Sequence, residues 1–240
     1  MTGTSGVSLR GKVAFVTGSG SGIGAATARA LAAQGVKLGL ASRRADDLGL
    51  ANALALACDV RDPGAVRAAV EATVARFGAL DIVIANAGVG SYRPVVDTPL
   101  NEIDEMIDIN VKGLIYTAQA TIPHLRKRGG DFLTLASEAG RRALPDEAIY
   151  VASKFAQVGF TRSLDHEMRA LGIRCSNICP GGVATNFGMG KGLRTPDMPA
   201  LETMMRAEDV AEIVIFALTR PPSFRLLELA VRSMHEPSWG

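Results

Sequence analysis

The stretch Thr17-Gly18-Ser19-Gly20-Ser21-Gly22-Ile23-Gly24 constrains this chain more than any other. It follows the apolar run 13–17 without a break and leads into the Ala-rich segment 22–34. Glycines placed where a strand gives way to a helix let the backbone turn tightly and come close to a ligand. In that setting Gly18 permits the turn, Gly22 lets the backbone approach a pyrophosphate, and Gly24 lets the helix lie against the strand. The helix start then offers unpaired N–H groups and the positive end of its dipole to phosphate. The loop therefore predicts a dinucleotide site with contacts from Gly18, Ser19, Ser21, Gly22, Ile23 and Gly24.

The rest of the chain repeats the strand-then-helix order. Short apolar runs lie at 13–17, 37–41, 53–58, 82–86, 131–136 and 173–179, with a last one near 225–231. They are continuous and not alternating, as expected of strands covered on both faces. Candidate helices fall at 22–34, 63–76, 99–127, 148–171 and 207–219. Asp62-Pro63 and Thr98-Pro99 each place a capping side chain before a proline suited to the first helical position. The pattern predicts an α/β fold: a doubly wound, Rossmann-type, mostly parallel sheet of about seven strands with helices on both faces. One domain spans 1–240, with 1–10 as a loose tail. Between Arg44 and Cys58 there is room only for a truncated or 3₁₀ helix.

Composition excludes several classes. Formal net charge is +2, and the longest basic run, Arg126-Lys127-Arg128, is too short for a nucleic-acid surface. No apolar stretch reaches the roughly 20 residues of a membrane span, and the first ten residues lack the apolar core of a signal peptide. Cys58, Cys175 and Cys179 sit in apolar runs, as buried thiols of a reducing, cytoplasmic compartment would. His124, His166 and His235 are scattered without ligand spacing, so no metal site is expected.

The second strand ends Ser42-Arg43-Arg44. Dinucleotide folds that use NAD place a carboxylate near this point to bond the ribose 2′-hydroxyl. A carboxylate would repel a 2′-phosphate, whereas a guanidinium pairs with it, so Ser42, Arg43 and Arg44 select NADP over NAD. At least one of the two arginines is expected merely to solvate the loop.

Tyr150 and Lys154 lie four residues apart at the start of a helix, on one face. A phenol titrates near ~10, and a neighbouring ammonium favours its phenolate, which makes it a usable acid/base. Ser137 closes the 131–136 strand at the carboxyl edge, where a hydroxyl can hold a substrate oxygen against the tyrosine. Asn86-Ala87-Gly88 ends another strand at the same edge, and Asn110 sits within a helix that an amide does not favour.

Taken together, Thr17, Gly18-xxx-Gly22-Ile23-Gly24, Cys58-Asp59-Val60, Asn86-Ala87-Gly88, Asn110, Ser137, Tyr150-xxx-Lys154 and Pro180-Gly181-Gly182-Val183-Ala184-Thr185 resemble the short-chain dehydrogenase/reductase family over nearly the whole chain. The resemblance implies that Tyr150 exchanges a proton with the substrate oxygen while Ser137 orients that oxygen. It implies that Lys154 binds the nicotinamide ribose and lowers the Tyr150 pKa, and that Asn110 keeps a water in a relay from Lys154 to solvent. Asp59 and Val60 would meet the adenine, Asn86, Ala87 and Gly88 the adenosine side. Pro180, Gly181, Val183 and Thr185 would hold the carboxamide. The implied activity is hydride transfer between NADPH and a carbonyl or secondary alcohol. Alternatives are a 3-oxoacyl-thioester reductase of the same family, or a catalytically silent NADP-binding regulator. A small-molecule substrate and a homo-oligomer, tetramer or dimer, are expected.

Glu138 is larger than the residue expected after Ser137 and is read as facing solvent. Arg141 and Arg142 are candidates to attract an acidic substrate. The segment 186–206, rich in Gly and Met, is expected to form a mobile substrate lid.

Overall fold

All five residues of β1 (Val13–Thr17) are buried, and the middle three divide between two cores. Ala14 and Val16 pack with Ala28 and Leu31 of α1 (Gly22–Ala33) and with Val210 and Val214 of α6 (Ala207–Leu218). Phe15 points the other way, into Val66 and Val70 of α2 (Pro63–Phe77) and Leu114 and Ala118 of α4 (Gly113–Leu125). Successive strand residues face opposite sides, so a strand buried on both reads as one apolar run. Phe15 has no exposed surface, and its truncation to alanine would cost about 3–5 kcal/mol.

The computed structural model describes residues 6–236. The other strands are β2 (Lys37–Ser42), β3 (Ala53–Ala57), β4 (Ile82–Ala85), β5 (Gly130–Leu135), β6 (Ile173–Pro180) and β7 (Glu228–Val231). They form one parallel sheet in the order β3-β2-β1-β4-β5-β6-β7. The chain runs outward from β1 to β3, then returns to place β4 on the other side of β1. The loops after β1 and β4 therefore part in opposite directions and leave a crevice above the sheet centre. The remaining helices are α3 (Leu100–Met106) and α5 (Ala148–Met168). Among the described residues no helix is long and apolar enough to cross a membrane.

Several expectations need correction. Residues 45–52 form turns, not a helix, because the Asp46 and Asp47 carboxylates accept from the N–H groups of Leu48 (2.8 Å) and Gly49 (2.9 Å). Such local bonds compete with helix formation. Asp62 does cap α2, accepting from Gly64 and Ala65. Thr98 caps nothing: its hydroxyl donates backward to Pro94 O (2.9 Å), and Pro99 stands at the cap position of α3. The long helix expected over 99–127 runs without a break from Leu100 to Leu125, but it widens into a π-type turn at Ile107–Lys112 that joins α3 to α4. Asn110 lies in that turn. Of the expected loose tail, 1–5 fall outside the described residues, but Leu9 is buried and Val7 N–H bonds Thr219 O.

Candidate active site

A cleft of about 1360 Å³ runs along the carboxyl ends of β2, β1, β4, β5 and β6. At β1 it is bounded by backbone. Gly18 has φ +64, and a Cβ there would lie 2.9 Å from both Ala87 Cα and Asn86 Nδ2. A Cβ on Gly24 would come within 2.2 Å of Gly18 O. Only glycine lets helix, loop and the end of β4 approach so closely. Thr17 and Asn86 stitch them together: Thr17 Oγ1 accepts from Asn86 N (3.0 Å) and Ala87 N (3.1 Å), and Asn86 Nδ2 donates to Thr17 O (2.9 Å). Ser21, at the start of α1, makes no capping bond, and the first turn has no acidic residue. The start of this helix is a cradle suited to phosphate.

Gly18, Ser21, Gly22, Ile23 and Gly24 line the cleft, as do Ala87 and Gly88. Ser19 does not. Its side chain is fully buried, with no hydrogen-bond partner for Oγ among the described residues. At the β2 end, Arg43 and Arg44 are exposed on the cleft rim, and Ser42 Oγ donates to Arg44 O. Val60 and Asp59 complete this end. Asp59 is gripped by the Arg61 guanidinium at 2.6–3.0 Å, which holds its carboxyl below the usual range.

Across the sheet, Ser137, Tyr150 and Lys154 line the same cleft. Ser137 starts a short 3₁₀ turn after β5 and accepts from Ala139 N (3.1 Å). Tyr150 is 6% exposed, with Tyr92 edge-on at 5.9 Å and Phe187 tilted at 5.8 Å. Lys154 is 3% exposed, with Nζ 5.7 Å from the Tyr150 ring centre.

The electrostatics depart from the simple pairing expected of Tyr150 and Lys154. Burial pushes the Tyr150 phenol well above its ordinary value, Tyr92 and Glu147 add to this, and a bond with Ser137 opposes it. Burial also pulls Lys154 down to about 7. A low dielectric disfavours both charged forms at once, so the ammonium does not offset the phenol's desolvation. The phenol is held protonated.

Asn110 is wholly buried and does not line the cleft. Its Nδ2 donates to Val89 O (2.9 Å) and Ser153 Oγ (3.0 Å), and its Oδ1 accepts from Val89 N (2.8 Å). The link from Lys154 to Asn110 passes through a residue the sequence did not flag. Lys154 Nζ donates to Gln157 Oε1 (2.8 Å), and Gln157 Nε2 donates to Asn110 O (2.7 Å). The only sequence signal was position: Gln157 stands three residues after Lys154, on the same helix face.

Pro180, Gly181, Val183 and Thr185 line the cleft below the segment 186–206. That segment is closed at its base, where Ala184 N donates to Met205 O and Met205 N to Gly182 O. Tyr92 pins its middle through Tyr92 N to Lys191 O (3.0 Å) and Leu193 N to Tyr92 O (3.1 Å). Arg194 is 7% exposed and donates through Nη2 to Val183 O (2.5 Å) and Thr185 O (3.2 Å). Lys191 reaches Glu105 of α3 at 2.8 Å.

Glu138 does not face solvent. It is 4% exposed and accepts from Arg141 Nη1 (2.7 Å), with Arg142 Nε 3.4 Å away. Arg141 is also bound to Glu228 (2.6 Å), so it is committed to structure and not to a ligand. Arg142 and Glu147 line the cleft. Glu147 stands at the start of α5 without capping it, and burial pushes its carboxyl up to about 7 against the pull of Arg142 and Arg194. Nothing in the sequence marks Tyr92 or Glu147, and it marks Phe187 and Arg194 only as part of the segment 186–206, since the four meet only through the fold.

Residues 12–194 match the sequence family described as short chain dehydrogenase. The chain is 33% identical over 243 residues, 95% of its length, to glycine betaine reductase ATRR of Emericella nidulans, of which it spans 19%. Among solved structures it is similar to an alcohol dehydrogenase from the archaeon Thermococcus sibiricus, complexed with 5-hydroxy-NADP. The identity is 32% and the TM-score 0.87, covering 95% of this chain and 99% of that one. It is also similar to 3-ketoacyl-(acyl-carrier-protein) reductase from Brucella melitensis, complexed with NADH, at 30% identity and TM-score 0.82, covering 93% and 98%. With a family match over most of its length, and a glycine cradle and a Ser-Tyr-Lys group in one cleft, the chain belongs to the short-chain dehydrogenase/reductase family of oxidoreductases.

Proposed function

We propose that this oxidoreductase uses NADPH to interconvert a carbonyl and a secondary alcohol, with Tyr150 as the acid/base. The observation that carries the reading is the convergence of Ser137, Tyr150 and Lys154 in the cleft that the glycine loop opens into. When bound, the nicotinamide supplies or accepts the hydride. The protein's share is orientation and proton transfer. Ser137 Oγ and the Tyr150 hydroxyl hold the substrate oxygen, and Tyr150 Oη gives its proton to that oxygen as negative charge builds there. A buried, protonated phenol is suited to this donation. Lys154 stabilises the phenolate left behind and bonds the ribose. Tyr92 and Phe187 pack on the Tyr150 ring and leave it little exposed beyond the side that lines the cleft.

Preference for NADP rests on the β2 end. Arg43 and Arg44 supply charge for a 2′-phosphate, and the nearby carboxylate, Asp59, is occupied by Arg61. Gly18, Gly22 and the start of α1 would hold the pyrophosphate, and Pro180, Gly181, Val183 and Thr185 the carboxamide. A silent regulator would not need the converged Ser137, Tyr150 and Lys154. A homo-oligomer is the assembled form we favour, supported by Phe155, 46% exposed on α5.

The test is oxidation of NADPH and of NADH by the protein with a panel of aldehydes, ketones and 3-oxoacyl thioesters. Turnover of at least one simple ketone with NADPH preferred is expected. Turnover of thioesters alone moves the reading to the acyl reductase, and none with either cofactor overturns it.

A further inference from the structure

The resemblance implies a solvent link between Lys154 and Asn110, yet a side chain spans that gap. Gln157 is 2% exposed, receives Lys154 Nζ on Oε1 at 2.8 Å, and gives Nε2 to Asn110 O at 2.7 Å. The chemistry of the two ends fixes the amide's orientation. An ammonium has donors only, and a backbone carbonyl accepts only, so Oε1 must face the lysine and Nε2 the asparagine. Lys154 also donates to Leu135 O (3.2 Å), which commits two of its three donors.

We propose that Gln157 is the positioning residue of Lys154, replacing a proton-conducting solvent link to Asn110 with a fixed amide bridge. The inference rests on the acid/base reading of Tyr150 and Lys154. A carboxamide that accepts at oxygen and donates at nitrogen passes a proton onward only by becoming its imidic acid tautomer. Protons therefore do not leave Lys154 through Asn110. Reprotonation of Tyr150 comes along the open cleft, and Lys154 acts as an anchored charge.

The geometry explains two further features. Asn110 O can turn to Gln157 because the widened turn at Ile107–Lys112 departs from regular α-helical bonding. The Asn110 side chain is then free to clamp Val89 on both its N–H and its carbonyl, fixing the loop after β4. Lys154 is almost wholly desolvated, which pulls it down to about 7, and the acceptors at Gln157 and Leu135 are what its ammonium has in place of water. Removing the Gln157 acceptor lowers that value further, and replacing it with a carboxylate raises it.

The test is a titration of Lys154 by NMR of the full chain carrying ¹³C-labelled lysine, with its signal assigned by loss in Lys154→Met. It compares wild type, Gln157→Leu and Gln157→Glu, each checked for a cooperative melt. A positioning role predicts a shift of about one pH unit or more upward in Gln157→Glu and a downward shift in Gln157→Leu. Unchanged titration in both folded variants overturns the proposal. If Gln157→Leu does not fold, Gln157→Glu decides alone. The readout needs no turnover, so it stands apart from the carbonyl panel. In an active enzyme the kcat pH profile moves with the titration; a packing role would leave that profile in place.

Discussion

The two ends of the cleft are built from different material. The end over β1 and β2 is mostly backbone: Gly18 and Gly24 are there because a Cβ would strike Ala87 or Gly18 O, and Thr17 and Asn86 hold the pieces with main-chain bonds. The end over β5 and β6 is side chains contributed by distant segments. Tyr92, Glu147, Tyr150, Phe187 and Arg194 come from the loop after β4, the start of α5 and the segment over the cleft. The first kind of surface suits a phosphate bridge, which backbone N–H groups can meet. A backbone site tolerates no added atom, whereas a side-chain site is retuned by single substitutions.

That contrast can be broken at the backbone end first. Gly24→Ala would drive a methyl group into Gly18 O, a clash of rigid parts. It should cost about 3 kcal/mol or more, lower Tm by roughly 6–12 °C, and abolish NADPH binding. A folded variant that binds NADPH normally would show that the loop is looser than described. Next in size is Arg43→Ala. Loss of a charge-assisted bond worth about 1.5–3 kcal/mol should weaken NADPH binding by roughly 10–150-fold and leave NADH almost unaffected. Equal weakening of both would assign Arg43 to the solvated loop.

Two smaller effects are expected at the side-chain end. Lys154 is depressed to about 7, so its charged form is present below that pH and lost above it. The kcat of carbonyl reduction should fall roughly tenfold from pH 6 to pH 8, following the ammonium. A flat profile over that range would remove Lys154's charge from the mechanism. Smallest is Lys191→Ala. Its pair with Glu105 is partly exposed and worth about 0.2–1 kcal/mol, so KM should rise by roughly 1.5–5-fold with kcat kept. A large loss of kcat would mean that this pair orders the reacting groups as well.

The same contrast explains what could be read from the sequence. The strands were legible because a parallel strand buried on both faces is one apolar run, as in 13–17. The glycine loop was legible because only glycine fits it. The widened turn at Ile107–Lys112 was not, since it leaves no mark in composition and the amide that its Asn110 carbonyl meets, Gln157, is 47 positions away. Thr98-Pro99 misled because a hydroxyl before proline can bond backward as well as forward. Glu138 misled because the arginines that bury it, Arg141 and Arg142, were themselves read as candidates to meet substrate. The Tyr150 and Lys154 spacing placed the pair on one face, but its electrostatics depended on burial, which spacing does not report.

The central claim is that Tyr150 does the proton chemistry while the backbone end holds the cofactor independently of it. Tyr150→Phe keeps the ring between Tyr92 and Phe187 and removes only the hydroxyl. The deciding measurement is NADPH affinity and NADPH-dependent carbonyl reduction in this one variant. The account predicts wild-type affinity with turnover abolished. Reduction continuing near the wild-type rate would contradict it.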